Sequence, residues 1–333
     1  MDKGIIVAGN LIVDYVKNID AYPEEGMLAN VRSLSRSIGG CAGNTTIDLA
    51  KMASGIPLTC IGRVGNDENG RYIIGLLDEQ GVDTSGISCS TGQATSFTDV
   101  MFSKRSKERT FFHGRGANAE FTISHINFDR LSASIFHIGY ALLLDGFDRP
   151  DPDYGTVMAR ALATARAKGM NTSIDVVSET GDRFREVVIP SLKYCDYAVM
   201  NEIEAGRITR IDPRDQNGKI DESRLRQICE EMLELGVSKL AVVHMPELGC
   251  AMDASGNYYA VGSCRLPEGY VKGTVGAGDA FCAGMLLAIY MEWEIGRAIS
   301  FAHAAAACCL SAENSVDGMR PLPEIEQLML QFH

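Results

Sequence analysis

The chain has 333 residues and a formal net charge of -12, with 31 Lys and Arg against 43 Asp and Glu. That balance, with no basic run, argues against a nucleic-acid surface. The longest apolar runs, near Phe281–Met291 and Ala302–Leu310, are too short to span a bilayer, so no membrane partner is expected.

The length suits one large α/β domain over residues 1–333 with a small appendage. The opening, Met1-Asp2-Lys3-Gly4-Ile5, shows no signal-peptide pattern and enters a strand at once. Gly4–Gly9 (GIIVAG) is a continuous apolar run of buried-strand type. Asp14 follows it closely, where α/β sheets place ligands; a solvated loop acid is the alternative. Residues 15–36 are polar and broken by Pro23 and Gly26. The glycines Gly39, Gly40 and Gly43 then lead into a helix expected from about Thr45 to Met52. They allow a close backbone approach to a ligand, and Asn44 either offers its amide to hydroxyls or caps the helix.

Ile56–Val64 reads as the next strand, and Gly65-Asn66-Asp67-Glu68-Asn69-Gly70 as the cap of a helix to about Gln80. Ala94–Phe102 and Arg109–His113 form a hairpin with a charged tip, Ser103–Glu108. Such a hairpin fits poorly in a helix-covered parallel sheet, so a separate small sheet is expected, with segments about 12–36 and 94–115 making a lid. Arg115 and Asn118 follow it, as specificity residues or as plain loop.

From Ser134 the pattern alternates regularly. Strands are expected at Ser134–Ile138, Asn171–Val177, Asp196–Met200 and Ser238–Val243, with helices at Asp153–Lys168 and Gly181–Lys193. This predicts a doubly wound, mostly parallel sheet with helices on both faces. Asp212–Glu222 reads as a loop. Asn201-Glu202-Ile203-Glu204 ends a strand, and its acids suit either a divalent metal or a helix N-terminus. His244 reads as a packed or surface residue.

The stretch around which the chain is organised comes last: Gly273-Thr274-Val275-Gly276-Ala277-Gly278-Asp279-Ala280-Phe281. A helix to about Met291 follows it, then another over Ile295–Leu310. A glycine turn feeding a helix start is an anion site. Asp279 would repel that anion unless it has a task of its own, such as taking a proton from a hydroxyl that attacks a phosphate; a helix cap is the alternative. Phe281 breaks a dinucleotide fingerprint, and no Gly-Lys-Ser/Thr is present for a P-loop. The ten cysteines show neither C-x-x-C nor zinc spacing and read as reduced core thiols of a cytoplasmic protein.

Four strings resemble, in order and position, the motifs of the ribokinase-like (phosphofructokinase-B type) carbohydrate and nucleoside kinases. Residues 39–44 match G-G-x-x-x-N, 65–70 match G-x-D-x-x-G, 201–204 match N-x-x-E, and 274–279 match all but the first acid of D-T-x-G-A-G-D. The resemblance implies transfer of the γ-phosphate of ATP to a hydroxyl of a sugar. It assigns Asp279 as base, with the N–H groups of Gly276, Ala277 and Gly278 on the transferring group. Asp14, Gly39, Gly40 and Asn44 would hold the sugar, with Arg115 and Asn118 beside it. Asn201, Thr274, Gly276, Gly278 and His303 would meet ATP, and Glu204 would hold Mg²⁺, mostly through water. The lid implies a homodimer.

The chain departs from the family pattern in two places. Gly273 removes a carboxylate that the family commonly uses for a monovalent cation near Ser311–Met319, which leaves K⁺ open. His244 and Pro246 replace the usual residues of a nucleotide loop. Two alternatives stand beside the sugar kinase. One is a nucleoside kinase of the same fold, with Phe97, Phe112 or Tyr140 stacking a base; the other is a non-catalytic sugar-binding regulatory protein. A dinucleotide-dependent oxidoreductase is disfavoured by Phe281.

Overall fold

The computed structural model describes residues 3–53, 55–179, 181 and 183–332. The expectation for the first two residues, and Asp182 of the helix expected at Gly181–Lys193, lie outside the described residues. In chain order the strands are β1 Ile5–Gly9, β2 Ile12–Ile19, β3 Val31–Gly39, β4 Leu58–Gly65, β5 Asp83–Ser90, β6 Phe97–Ser103, β7 Arg109–Gly114, β8 Ile135–Ala141, β9 Pro150–Asp151, β10 Gly155–Thr156, β11 Asn171–Val176, β12 Tyr197–Asn201, β13 Leu240–His244, β14 Leu248–Asp253 and β15 Tyr258–Gly262. The helices are α1 Cys41–Met52, α2 Glu68–Glu79, α3 Asp145–Asp148, α4 Val157–Ala167, α5 Phe184–Leu192, α6 Glu202–Thr209, α7 Glu222–Glu234, α8 Ala277–Tyr290, α9 Ile295–Leu310 and α10 Leu322–Phe332.

The main sheet runs β15-β14-β13-β12-β11-β8-β1-β4-β5. It is parallel from β13 to β5, and β14 and β15 add an antiparallel edge. Strand β1 shows why its sequence is apolar at every position. Ile5 and Val7 enter one core, Ile6 and Ala8 the other, and all four are buried. One core is closed by α1, α2, α8, α9 and α10, the other by α4 to α7. This is the doubly wound sheet that the β-α alternation predicts.

A second sheet of order β3-β2-β6-β7 stands apart. Strands β2 and β3 pair antiparallel, β2 and β6 parallel, and β6 and β7 antiparallel. The separate small sheet is therefore present. The 15–36 stretch that reads as polar and broken supplies most of two of its strands; β2 is half-buried there and β3 is exposed over Val31–Arg36, so neither carries a clear apolar signal. Among the described residues no helix is long and apolar enough to cross a membrane.

Candidate active site

Helix α8 is the element on which the site is built. Gly276 at its N-cap has φ +82°, and a Cβ there would lie 2.5 Å from the Ser315 side chain, so only glycine makes this turn. The first-turn N–H groups of α8 have no intrahelical acceptor and carry the positive end of the helix dipole. Phe281 fixes the helix start. It is 1% exposed, stacked on His244 at 4.6 Å and met edge-on by His303 at 5.1 Å. Burying a ring of this size stabilises by about 2–3 kcal/mol.

Asp279 sits in the first turn of α8 and is 4% exposed. The Tyr140 hydroxyl donates to its Oδ1 at 2.6 Å, and Asn44 Nδ2 donates to its Oδ2 at 2.8 Å. The Asn44 amide is held in turn by the Ser315 hydroxyl, 2.8 Å from its Oδ1. Burial pushes the Asp279 carboxyl above its ordinary range, while the bonds from Tyr140 and Asn44 oppose the rise. Asn44 reaches Asp279 because α1 begins at Cys41, four residues before the predicted start. Gly40 occupies the cap position, and Asn44 projects from the first turn instead of capping it. Packing of α1 against α8 overrides the glycine-rich local sequence.

Asp14 lies on β2, at the base of the small sheet. Burial pushes its carboxyl up to about 6; the Thr98 hydroxyl opposes this, and the Asp279 charge adds to it. A Cβ on Gly39 would lie 2.3 Å from Asp14 Oδ2, so glycine at 39 keeps the Asp14 side chain in place. Gly40 has φ +82° and passes against the Asn10 carbonyl.

A cleft of roughly 260 Å³ opens beside Asp279, lined by Tyr140, Asp175, Ser178, Asn201, Glu204, His244, Gly276 and Gly278 among others. Asn201 and Glu204 form a reciprocal capping box at the start of α6. Asn201 Oδ1 accepts from the N–H groups of Ile203 and Glu204, and Glu204 Oε2 accepts from the N–H of Asn201 at 3.0 Å. Ser178 donates to Glu204 Oε1 at 2.8 Å. Burial raises Glu204 to about 7 even against these bonds. Asp175, 7% exposed at the end of β11, is raised well above its ordinary range by burial and by the Glu204 charge. Two buried acids that repel each other on a cleft wall suit a divalent cation bound by oxygen.

The structure thus brings Asp14, Gly39, Gly40, Asn44, Asn201, Glu204, Gly276, Ala277, Gly278 and Asp279 to one region. Other expected residues stand elsewhere. His303 is 6% exposed and packed behind Phe281 against Gly249. Asn118 is fully buried with its amide bonded at both ends to the Leu11 backbone; it positions that segment instead of facing a ligand. Arg115 pairs with Asp145 at 2.8 Å. Thr274 lines a different hollow, shared with Lys107, Arg109 and Phe111 of the small sheet. At Gly273 a Cβ would lie 2.6 Å from the Ala312 carbonyl oxygen and 2.8 Å from that of Glu313, so no side chain fits without a shift.

Three contributors were not assigned these roles from sequence: Tyr140 as a donor to Asp279, Asp175, and Ser315 behind Asn44. Asp175 carried a usable signal, an acid at the carboxyl end of a parallel strand. The other two become visible only when distant segments meet.

Comparison with known proteins bears on the family and the fold. The family model of the pfkB family carbohydrate kinases matches residues 2–321. The chain is 23% identical over 340 residues to fructokinase-1 of Oryza sativa subsp. japonica, covering 98% of this chain and 97% of that one. It is 25% identical over 333 residues to 5-dehydro-2-deoxygluconokinase of Geobacillus kaustophilus, covering 98% and 93%. The ribokinase of Arabidopsis thaliana, solved with ribose and ATP, shares the fold with a TM-score of 0.81 at 21% identity over 99% of each chain. The chain belongs to the pfkB family of carbohydrate kinases and is a sugar phosphotransferase.

Proposed function

We propose that this pfkB-family kinase transfers the γ-phosphate of ATP to a hydroxyl of a free sugar or close sugar derivative, with Asp279 as the base. The observation that carries the reading is the Asp279 carboxylate, buried, oriented from both sides and set at the mouth of a helix N-terminus. Each carboxylate oxygen keeps a lone pair for a substrate hydroxyl beside the bond it already accepts. Burial makes the carboxylate a stronger base than a solvated one. The first-turn N–H groups of α8 would bind the oxygens of the transferring phosphoryl group.

Asp14 and Asn44 would accept and donate to hydroxyls of the acceptor, which holds it against Asp279. Asp175 and Glu204 would hold Mg²⁺, in part through water, and the ion would neutralise charge on the nucleotide phosphates. Closure of the small sheet as a lid would exclude water, which otherwise competes as acceptor. Met27, Leu28, Leu34, Phe111 and Phe112 on that sheet and its loop are exposed, and support pairing of two lids in a homodimer. The ten unpaired thiols among the described residues suit a reducing, cytoplasmic setting.

The test is ADP release from MgATP across ketoses, pentoses, sugar acids, sugar phosphates and nucleosides, with and without K⁺. Release that depends on one sugar supports the proposal. Release with nucleosides alone favours the nucleoside-kinase reading, and failure to bind MgATP contradicts both.

A further inference from the structure

Directly beneath the cleft, four buried side chains from four elements converge: Cys41 at the start of α1, His137 on β8, Asp175 on β11 and Cys282 on α8. Their exposures are 0%, 0%, 7% and 1%. One donor atom each from Cys41, His137 and Asp175 lie within 4.8 Å of one another. His137 Nε2 is 3.4 Å from Cys41 Sγ and 3.9 Å from Cys282 Sγ. We propose that these residues form a site for a thiophilic divalent cation such as Zn²⁺, which shares Asp175 with the cation site proposed for phosphoryl transfer.

The spacing supports it. Tetrahedral zinc with bonds of about 2.3 Å to sulfur and about 2.0 Å to nitrogen sets the two donor atoms about 3.5 Å apart. The Cys41 separation of 3.4 Å matches that value; Cys282, outside the trio of donors within 4.8 Å of one another, is farther at 3.9 Å and would move inward on binding. The histidine is oriented from behind: His137 Nδ1 is 3.0 Å from the Ser173 hydroxyl, and a proton on Nδ1 directs the Nε2 lone pair at the two thiols. Gly139 leaves the room, since a Cβ there would sit 2.6 Å from Cys41 Sγ. Burial first, and then the charges of Asp175 and Asp279, push both thiols well above their ordinary range, so a bound cation would have to displace their protons.

Binding would release the two thiol protons to solvent and leave two metal–thiolate bonds, one imidazole bond and one carboxylate bond. Asp175 also lines the cleft, so a bound ion would draw its carboxylate away from the nucleotide side.

Co²⁺ titration of the reduced, metal-stripped full chain tests the proposal without reference to turnover. The expected result is uptake of a single equivalent with intense thiolate-to-cobalt absorption that is lost in the Cys41→Ser/Cys282→Ser double variant. Absence of that absorption would overturn the proposal. So would its survival in the double variant, which would point to the separate Cys229–Cys250 pair, 3.9 Å apart. Should the double variant not fold, X-ray absorption of the Zn²⁺-loaded native chain decides. Two sulfurs with two lighter donors support the site, and a shell of lighter atoms alone overturns it.

Discussion

The hydroxyl of Tyr140 donates to Oδ1 of Asp279 at 2.6 Å, joining the end of β8 to the first turn of α8 across 139 positions of sequence. The bond holds down the carboxyl that burial pushes up. Tyr140→Phe should lower kcat by about 10- to 100-fold, the usual worth of a hydrogen bond to a charged group, with little change in KM for MgATP. The acid limb of the pH–rate profile should move to higher pH, since Asp279 loses a bond that favours its ionised form. An unmoved limb would show that Tyr140 does not act on Asp279.

Asp14 titrates at about 6 in the folded chain against an ordinary value of 3.8. If its ionised form binds the acceptor, kcat/KM for the acceptor falls as pH drops below about 6, and Asp14→Asn loses that dependence along with most acceptor affinity. The sign for stability is opposite. The folded state holds this proton more tightly than the unfolded chain, so stability is lost as pH rises from 3.8 to about 6. Asp14→Asn should therefore melt above the native protein at pH 7 and close to it at pH 4, as thermal melts at the two pH values would show.

The Gly39–Asp14 contact separates acceptor binding from nucleotide binding. Gly39→Ala places a Cβ 2.3 Å from Asp14 Oδ2 and must displace that carboxylate. KM for the acceptor should rise by at least about tenfold, while the affinity for MgATP stays within about twofold. Isothermal titration with each ligand checks this, and equal losses for both would contradict it.

What the sequence discloses of this site follows its local signals. The glycine turn at 273–279 is legible because nest, helix start and acid lie within seven residues. The Asn201–Glu204 box is legible for the same reason. Tyr140 and Ser315 join the site from distant segments, and no local pattern encodes that meeting, whereas Asp175 stands at the carboxyl end of a parallel strand, a signal the sequence does carry. Asn118 shows the opposite case. Its place along the chain suits a ligand contact, but a position does not tell which way a side chain points, and its amide is bonded at both ends to the Leu11 backbone. In the fold, the β-α alternation carries the doubly wound sheet. Strands β5, β14 and β15 carry weaker sequence signals, and so does helix α7, although Asp221 caps it and Leu225, Ile228, Cys229 and Met232 mark its buried face.

Gly273 stands where the family has an acid, and the structure leaves no space to restore one. Gly273→Asp would drive a Cβ to 2.6 Å from the Ala312 carbonyl oxygen and 2.8 Å from that of Glu313. The expected cost is about 1–3 kcal/mol of stability, with no gain in K⁺ activation. Denaturant unfolding and a K⁺ titration of activity check both parts. A stable variant with new K⁺ dependence would contradict the packing argument.

The most direct measurement of the central claim sets the native enzyme beside Asp279→Asn with the acceptor identified by the sugar panel. ADP formation and calorimetric binding of acceptor and MgATP are recorded on the same preparations. Loss of the general base should lower kcat by about 100-fold or more while both affinities stay within a few-fold, because Asn keeps the shape and the hydrogen-bonding reach of the carboxylate. Turnover that survives the substitution within about twofold would contradict the assignment of Asp279 as the base.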